Sequence, residues 1–302
     1  KIKIMNKDLF SKEEQEVKKQ KISLRDKFIE PPFTLLDSKT ASWRGRMKHF
    51  KDLGIKGELG RNVKSKNRMK AIDGKNPSLL SIGNNEKKGS FISIFDPALC
   101  EVLYKWFCPD NGTILDPFAG GSVRGIVANY LGYKYSGIDI IKEQVESNRE
   151  QAKEILKADN QPKWWVGDSN ELLGKSDRVF DMVFSCPPYA NLEVYSELDG
   201  DISNMNYIDF MKSYEEIIAK SCNLLKSGGY ACFVVGEVRD KKGNYIGFVP
   251  DTINAFKKCG MDFYNEAIYL QGLGTAAMRA NNNMKKQKLV KIHQNVLVFK
   301  KD

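Results

Sequence analysis

Two stretches carry residue types that could do chemistry. "LDPFAGGS", residues 115–122, ends a short apolar run with an acid and then two adjacent glycines. Glycines there let the backbone approach a ligand closely before a helix starts. The pattern is neither G-x-G-x-x-G nor a loop followed by G-K-[ST], so a dinucleotide or a triphosphate is disfavoured. Asp116 puts negative charge where a phosphate would sit, which suits a cationic or zwitterionic ligand instead. "VFSCPPY", residues 183–189, ends another apolar run in Cys186, Pro187, Pro188 and Tyr189. A Pro-Pro pair stops a strand and leaves carbonyls without neighbouring N–H partners. A fold tolerates that where backbone faces a ligand.

Strand ends must position both stretches. From residue 93 onward, apolar strand patterns and amphipathic helix patterns alternate. "FDPALCEVLYKWF" is a helix with Asp96 as N-cap and Pro97 at its first position. Strands follow at "TILDPF", "KYSGIDI", "KWWVGD", "RVFDMVFSC", "YACFVVGEV", "MDFYNEAIYL" and "IHQNVLVFK", with helices between most of them. Such alternation predicts a mostly parallel α/β sheet covered by helices on both faces. The last two strands have no helical pattern between them, which predicts an antiparallel hairpin at one edge. In such a sheet ligands sit at the carboxyl ends of the strands. Asp139 and Ile140 end the second strand, about twenty residues beyond the glycines, where an acid can hold ribose hydroxyls or simply cap a helix. Asp168 and Ser169 end the third, where Asp168 could accept from an adenine amino group or merely close a turn. Four sites at four successive strand ends agree with one another.

Taken together, these residues resemble the S-adenosylmethionine-dependent amino-methyltransferases of DNA, over roughly residues 91–300. "DPFAGGS" is similar to their cofactor loop, "CPPY" to their catalytic [Asp/Asn/Ser]-Pro-Pro-[Tyr/Phe/Trp] tetrapeptide, and "FDP" to a methionine-side motif. The closing "KIHQNVLVFK" is similar to their last strand. The upstream "PPFTLLDSKTASWRGRMKHFKDLGIKGELGR" resembles phage and prophage DNA methylases. The resemblance implies a Rossmann-like, seven-stranded methyltransferase sheet over residues 91–302, with residues 1–90 a basic N-terminal extension. It implies S-adenosylmethionine held by Phe95, Asp96, Asp116, Pro117, Phe118, Gly120, Gly121, Asp139, Ile140, Asp168 and Ser169. Cys186, Pro187, Pro188 and Tyr189 would form the catalytic site. The Pro187 carbonyl would accept one amino hydrogen and Tyr189 would stack on a flipped base. The methyl would pass directly to N6 of adenine or N4 of cytosine. Cys186 departs from the family's Asp, Asn or Ser, and a thiol is a weak acceptor. In the family Ser there leans toward cytosine N4 and Asp or Asn toward adenine N6, so Cys186 leaves the base open. Cys186 as the nucleophile of a cytosine carbon-5 enzyme does not fit, because those carry Pro-Cys rather than Cys-Pro.

Charge points to the partner. The chain has 302 residues, 41% of them hydrophobic, and a formal charge of +10. Residues 40–75 hold eleven Lys/Arg against three acids, with Trp43 and Phe50 interleaved. This segment is either a solvated basic stretch or a phosphate-contacting arm. Arg44, Arg46, Lys64, Lys66 and Arg68 there, with Arg279, Lys285 and Lys286 in "GLGTAAMRANNNMKKQK", are the expected contacts to double-stranded DNA. RNA or a protein glutamine amide is an alternative substrate, and a non-catalytic DNA-binding protein is an alternative of another class. Six scattered cysteines without C-x-x-C and only two histidines make a zinc site unexpected. No run approaches the length of a membrane span, and no secretory pattern opens the sequence, so the cytoplasm of a bacterial or phage-infected cell is the expected location. The first residue is Lys, so the natural start can lie upstream.

Overall fold

Strand β2 (Thr113–Asp116) and strand β5 (Phe180–Ser185) lie side by side at the middle of an eight-stranded sheet. The protein is seen in a computed structural model, which describes residues 23–56, 95–189, 198, 200–240, 242–274 and 276–302. To one side of β2 run β3 (Lys134–Asp139) and β4 (Lys163–Val166). To the other side of β5 run β6 (Leu225–Val235), β8 (His293–Lys300), β7 (Asp262–Leu270) and β1 (Leu35–Asp37). All neighbours pair parallel except β8, which is antiparallel to both β6 and β7. Strand order reverses between β2 and β5, the kind of crevice where open α/β sheets take their ligands.

All seven expected strands are present, and the sheet is mostly parallel, as expected. Three details differ. An eighth strand, β1, adds to β7 through Leu36↔Tyr269 and Asp37↔Leu270, so the β7–β8 pair is not the edge of the sheet. Its three residues are too short to show a period-2 pattern. Helix α9 (Ala276–Met284) interrupts the expected plain loop between β7 and β8. β6 starts at Leu225, earlier than expected, because Leu225 pairs with Phe180 across an irregularity before the ladder resumes at Tyr230.

Two helical layers cover the sheet. Helices α2 (Ala41–Asp52), α3 (Pro97–Phe107), α4 (Val123–Tyr130) and α5 (Lys142–Ile155) form one layer, and α6 (Ser169–Gly174), α7 (Tyr207–Asn223) and α8 (Phe248–Lys258) the other. Alternation along the strands feeds both. Leu115, Val183 and Phe233 join the core under α7 and α8, while their neighbours Ile114, Phe184 and Cys232 are equally buried. Phe256 of α8 stacks on Phe299 of β8 at 4.0 Å between centroids. Asp96 caps α3 as expected, accepting from Ala98 and Leu99 N–H. Among the described residues no helix is long and apolar enough to cross a membrane.

The expected division near residue 90 does not coincide with the compact units, which are residues 1–32 and 33–302. In the first unit, residues 23–32 are described. They hold a short helix, α1 (Leu24–Phe28), with Ser23 and Asp26 forming a reciprocal capping box. In the second, β1 and α2 belong to the same body as the sheet. Trp43 and Phe50 are 1% exposed, so they are core residues rather than nucleic-acid stacking groups. Trp43 donates its Nε1–H to Asp96 at 2.9 Å and tilts against Tyr269 of β7. Phe50 meets Tyr130 edge-on, and His49 lies 3.2 Å from the Tyr130 hydroxyl.

Trp43→Ala should therefore lower unfolding stability by about 3–5 kcal/mol, the usual cost of emptying a buried tryptophan site. Urea denaturation measures it. A change below about 0.5 kcal/mol, the surface value, would mean that α2 is not part of the core.

Candidate active site

At the end of β2 the chain leaves the sheet through Pro117–Ser122. Asp116 is completely buried beneath this loop. Its Oδ2 accepts from Arg124 Nε at 2.6 Å and Tyr135 OH at 2.8 Å, and its Oδ1 from Ser185 Oγ at 2.6 Å and Phe118 N–H at 3.1 Å. The sequence suggests that Asp116 touches the cofactor. In the structure its carboxylate accepts from these internal partners and shapes the loop from below. Arg124, on α4, is the second half of that arrangement. Its Nη2 donates to the carbonyls of Phe118 at 2.5 Å and Ala119 at 2.8 Å, and its guanidinium lies 4.8 Å from the Phe95 ring centroid. Burial works against the arginine's charge, yet the neighbouring Asp116 carboxylate outweighs it and holds the guanidinium pKa well above its usual value.

Gly120 turns the loop with φ of 52°, in the left-handed region. Its N–H donates to Asp139 Oδ2 at 2.9 Å, and its carbonyl accepts from Asn148 Nδ2 at 2.7 Å. Asp139 also accepts from Ile141 N–H at 2.8 Å, so it both closes the turn into α5 and buttresses the loop. It remains partly exposed beside Ile140. Asp168 caps α6 through Asn170 N–H at 2.8 Å. A Cβ built on Gly200 would lie 3.3 Å from Asp168 Oδ2 and 3.5 Å from Ile140 Cδ1, so the chain at residue 200 stands over both. Ser169 Oγ donates to the Pro117 carbonyl at 2.6 Å and ties the β4 end to the loop. Asp96 is likewise committed. Its Oδ1 serves the α3 cap, and its Oδ2 takes Trp43 and the Tyr269 hydroxyl. Burial, then the Asp96 charge, pushes the Tyr269 phenol upward.

The proline stretch follows β5. Ser185 points into the core toward Asp116, so the next side chain, Cys186, falls on the other side. Cys186 is half-buried and is not in a disulfide. Pro187 is buried, and Pro188 and Tyr189 are half-buried. The Tyr189 ring meets Phe248 edge-on at 6.0 Å, and its hydroxyl accepts from Gln294 Nε2 at 2.6 Å. Gln294 Oε1 accepts in turn from Gln271 Nε2 at 3.1 Å. A Cβ at Gly236, just past β6, would lie 3.7 Å from the Tyr189 hydroxyl and 3.8 Å from Lys291 Nζ. Burial lowers the Lys291 pKa, and Glu237 opposes that shift. Gln271, Lys291 and Gln294 carry no local signal in the sequence. Only the antiparallel course of β8, which starts at the active edge, places Lys291 and Gln294 there.

Glycine loop, strand-end acids and Cys-Pro-Pro-Tyr thus follow the carboxyl ends of four neighbouring strands, β4, β3, β2 and β5. A family model described as DNA methylase matches residues 2–153. The chain belongs to the DNA methylase family. Solved structures that resemble this methylase do so at low identity. TrmN from Thermus thermophilus is 14% identical, with a TM-score of 0.47 over 69% of this chain and 49% of that one. A TehB-like S-adenosylmethionine-dependent methyltransferase from Corynebacterium glutamicum is 16% identical, with a TM-score of 0.43 over 79% and 98%. A candidate DNA modification methylase, also from Thermus thermophilus, is 21% identical, with a TM-score of 0.33 over 45% and 50%. The methylase spans about half the length of TrmN. No curated protein sequence matches it.

DNA methylases take their methyl group from S-adenosylmethionine. The donor set fits that molecule. Asp139 and Ile140 offer a carboxylate and an apolar side chain together, at successive positions beside a loop whose backbone turns at Gly120. Of the basic residues expected to meet DNA, Arg46 is paired with Glu101 at 3.0 Å and Arg44 is exposed. α2 carries the following cations away from the active edge, toward Tyr130 and Glu154 at the far ends of α4 and α5. Arg279, on α9, and Lys285 and Lys286 just past it are exposed. Lys64, Lys66 and Arg68 lie outside the described residues.

Arg124→Met should cost about 3–5 kcal/mol, because it strands a buried carboxylate. The double variant Arg124→Met/Asp116→Leu should recover much of that loss. Chemical denaturation of both checks the pair; equal losses in the two variants would contradict it.

Proposed function

We propose that this DNA methylase transfers a methyl group from S-adenosylmethionine to an exocyclic amino nitrogen of a DNA base, N6 of adenine or N4 of cytosine, after flipping the base out of the duplex. The observation that carries the reading is Tyr189. Its ring is braced by Phe248 and its hydroxyl is held by Gln294, at the end of the strand adjoining the glycine loop. A braced aromatic at a ligand crevice suits stacking on an extrahelical base. The β5–β6 ladder runs to Ser185, one residue before Cys186, so the proline stretch begins where regular pairing stops.

S-adenosylmethionine, when bound, supplies an electrophilic methyl on a sulfonium. The chain's residues would do the rest by position. Asp139 would accept from ribose hydroxyls, Ile140 would pack on the adenine ring, and Asp168 would accept from its amino group. The backbone of Phe118–Gly121 would line the methionine side. The Pro187 carbonyl would accept one hydrogen of the target amino group, with Cys186 beside it, drawing the nitrogen toward tetrahedral geometry and freeing its lone pair. The sulfur–methyl bond would break as the nitrogen–methyl bond forms, S-adenosylhomocysteine would leave, and the nitrogen would lose one proton to solvent; no covalent intermediate on the protein is needed, so acceleration comes from orientation and electrostatics. Arg279, Lys285 and Lys286 would bind phosphates.

Nucleoside mass spectrometry on unmethylated duplex DNA incubated with S-adenosylmethionine tests the reading. N6-methyladenine or N4-methylcytosine should appear with the native protein and vanish with Tyr189→Ala. S-adenosylmethionine binding with no methylated nucleoside would overturn it. Cys186→Ser should raise single-turnover methylation by roughly three- to tenfold, since a hydroxyl is the better acceptor and one hydrogen bond is worth about 0.5–1.5 kcal/mol. An unchanged rate would assign amino-group polarisation to the Pro187 carbonyl alone.

A further inference from the structure

A second feature of the active edge is absorbed by neither the glycine loop nor the proline stretch. Directly after β6, Val238–Asp240 and Lys242–Gly247 fold back on each other. Arg239 and Tyr245 bridge antiparallel, and Ile246 N–H donates to the Val238 carbonyl at 3.0 Å. The tip is closed by Asp240, whose Oδ1 accepts from Asn244 N–H at 2.8 Å, with Asp240 and Gly243 also joined through the backbone. Arg239 locks the flank. Its Nη1 donates to the Gly243 carbonyl at 2.7 Å and its guanidinium stands 3.9 Å over the Tyr245 ring. Glu237 anchors the base by accepting from Gly247 and Val249 N–H. This hairpin is pinned, and its outer face is open: Lys242 and Tyr245 are exposed, Tyr245 by 50%.

The chain between α9 and β8 lies against the same hairpin. Gly243 has φ of 93°, and a Cβ there would fall 1.7 Å from Lys288 Nζ. Lys288 therefore rests on the tip. Three residues later, Lys291 sits beside Gly236 and the Tyr189 hydroxyl. Lys285 and Lys286 precede it, both exposed. Two separate segments thus meet here: the hairpin that bears Arg239 and Lys242, and the chain that puts Lys288 on its tip and Lys291 beside the Tyr189 site, with Lys285 and Lys286 just upstream. These six cations outnumber the two nearby acids, Asp240 and Glu237, whose carboxylates accept from backbone N–H groups of the hairpin and of the start of α8.

We propose that this hairpin is the methylase's docking element for duplex DNA, with Lys242 and Lys288 on the phosphates that flank the target base and Tyr245, backed by Arg239, against the sugar edge. The proposal rests on the DNA-methylating reading of Tyr189, and adds a surface distinct from α2, the described part of the basic stretch. A row of cations on a rigid support beside the catalytic crevice matches a polyanion of regular spacing. A flexible tail would lose affinity to ordering; a pinned hairpin loses little.

Anisotropy of a fluorescent duplex, titrated across salt concentrations, tests it. Lys242→Glu/Lys288→Glu should weaken binding at least tenfold at about 0.1 M salt and lower the log–log salt slope by about two. The exposed α2 pair Lys48→Glu/Lys51→Glu should leave the slope unchanged. Lys242→Ala, a change at an exposed position, should still lower the slope by about one, and guards against misfolding of the reversal variant. Native affinity and slope in both hairpin variants would overturn the proposal. So would a loss seen only with a structured RNA probe. S-adenosylmethionine binding and methyl transfer measured on the same samples separate the two readings. Hairpin-dependent DNA binding without methyl transfer would sink the enzymatic reading alone, and methyl transfer indifferent to the hairpin would sink this one alone.

Discussion

The buried Asp116–Arg124 pair is the constraint on which the active edge depends. Both groups are almost wholly removed from water, Arg124 at 6% and Asp116 at 0% side-chain exposure. Burying each ion costs several kcal/mol unless the partner and further hydrogen bonds compensate. Here they do. Tyr135, Ser185 and the Phe118 N–H complete the carboxylate, and the Phe118 and Ala119 carbonyls complete the guanidinium. These bonds come from β2, β3, β5, α4 and the glycine loop. One ion pair therefore sets the relative position of the loop and of the residue that precedes Cys186. The loop carbonyls cannot relax without exposing a buried charge.

The second organising fact is the direction of β8. Inserted antiparallel between β6 and β7, it brings a strand's first residues to the edge where its neighbours end. Lys291 and Gln294 reach the site by that route, and Gln294 holds the Tyr189 hydroxyl. The same reversal brings the segment after α9 against the hairpin that follows β6. The surroundings of Tyr189 and the packing of Lys288 on the hairpin are thus two consequences of one strand's polarity.

The N-terminal segment shows how charge can mask packing. Lysines and arginines dominate residues 40–75, and by count alone they suggest an exposed arm. Yet Trp43, Met47 and Phe50 fall at i, i+4 and i+7 behind Thr40, which caps α2 through Trp43 N–H. That spacing marks a helix with one apolar stripe. Arg44 and Lys48 lie on the exposed side, while Arg46 borders the stripe and pairs with Glu101 of α3. Asp96 illustrates the converse. Its role as an α3 cap was legible, but its bonds to Trp43 and Tyr269 join residues 53 and 173 positions away, and no local pattern announces them.

The sequence by itself determined the alternation of strands and helices, the glycine turn, the strand-end acids and the Cys-Pro-Pro-Tyr stretch. All of these are local: periodicity, caps and turn chemistry act over a few residues and survive in one dimension. Tertiary structure alone decided which acids face outward. Asp116 and Asp139 look alike as strand-end aspartates, but Asp116 is sealed by an arginine eight residues later, while Asp139 stays partly open. It also decided that β1 and α2 join the main body, and that Gln294 and Lys291 stand beside Tyr189. Those outcomes depend on which distant surfaces exclude water together, and on the direction in which a strand enters the sheet. Neither quantity is carried by any single stretch of the chain.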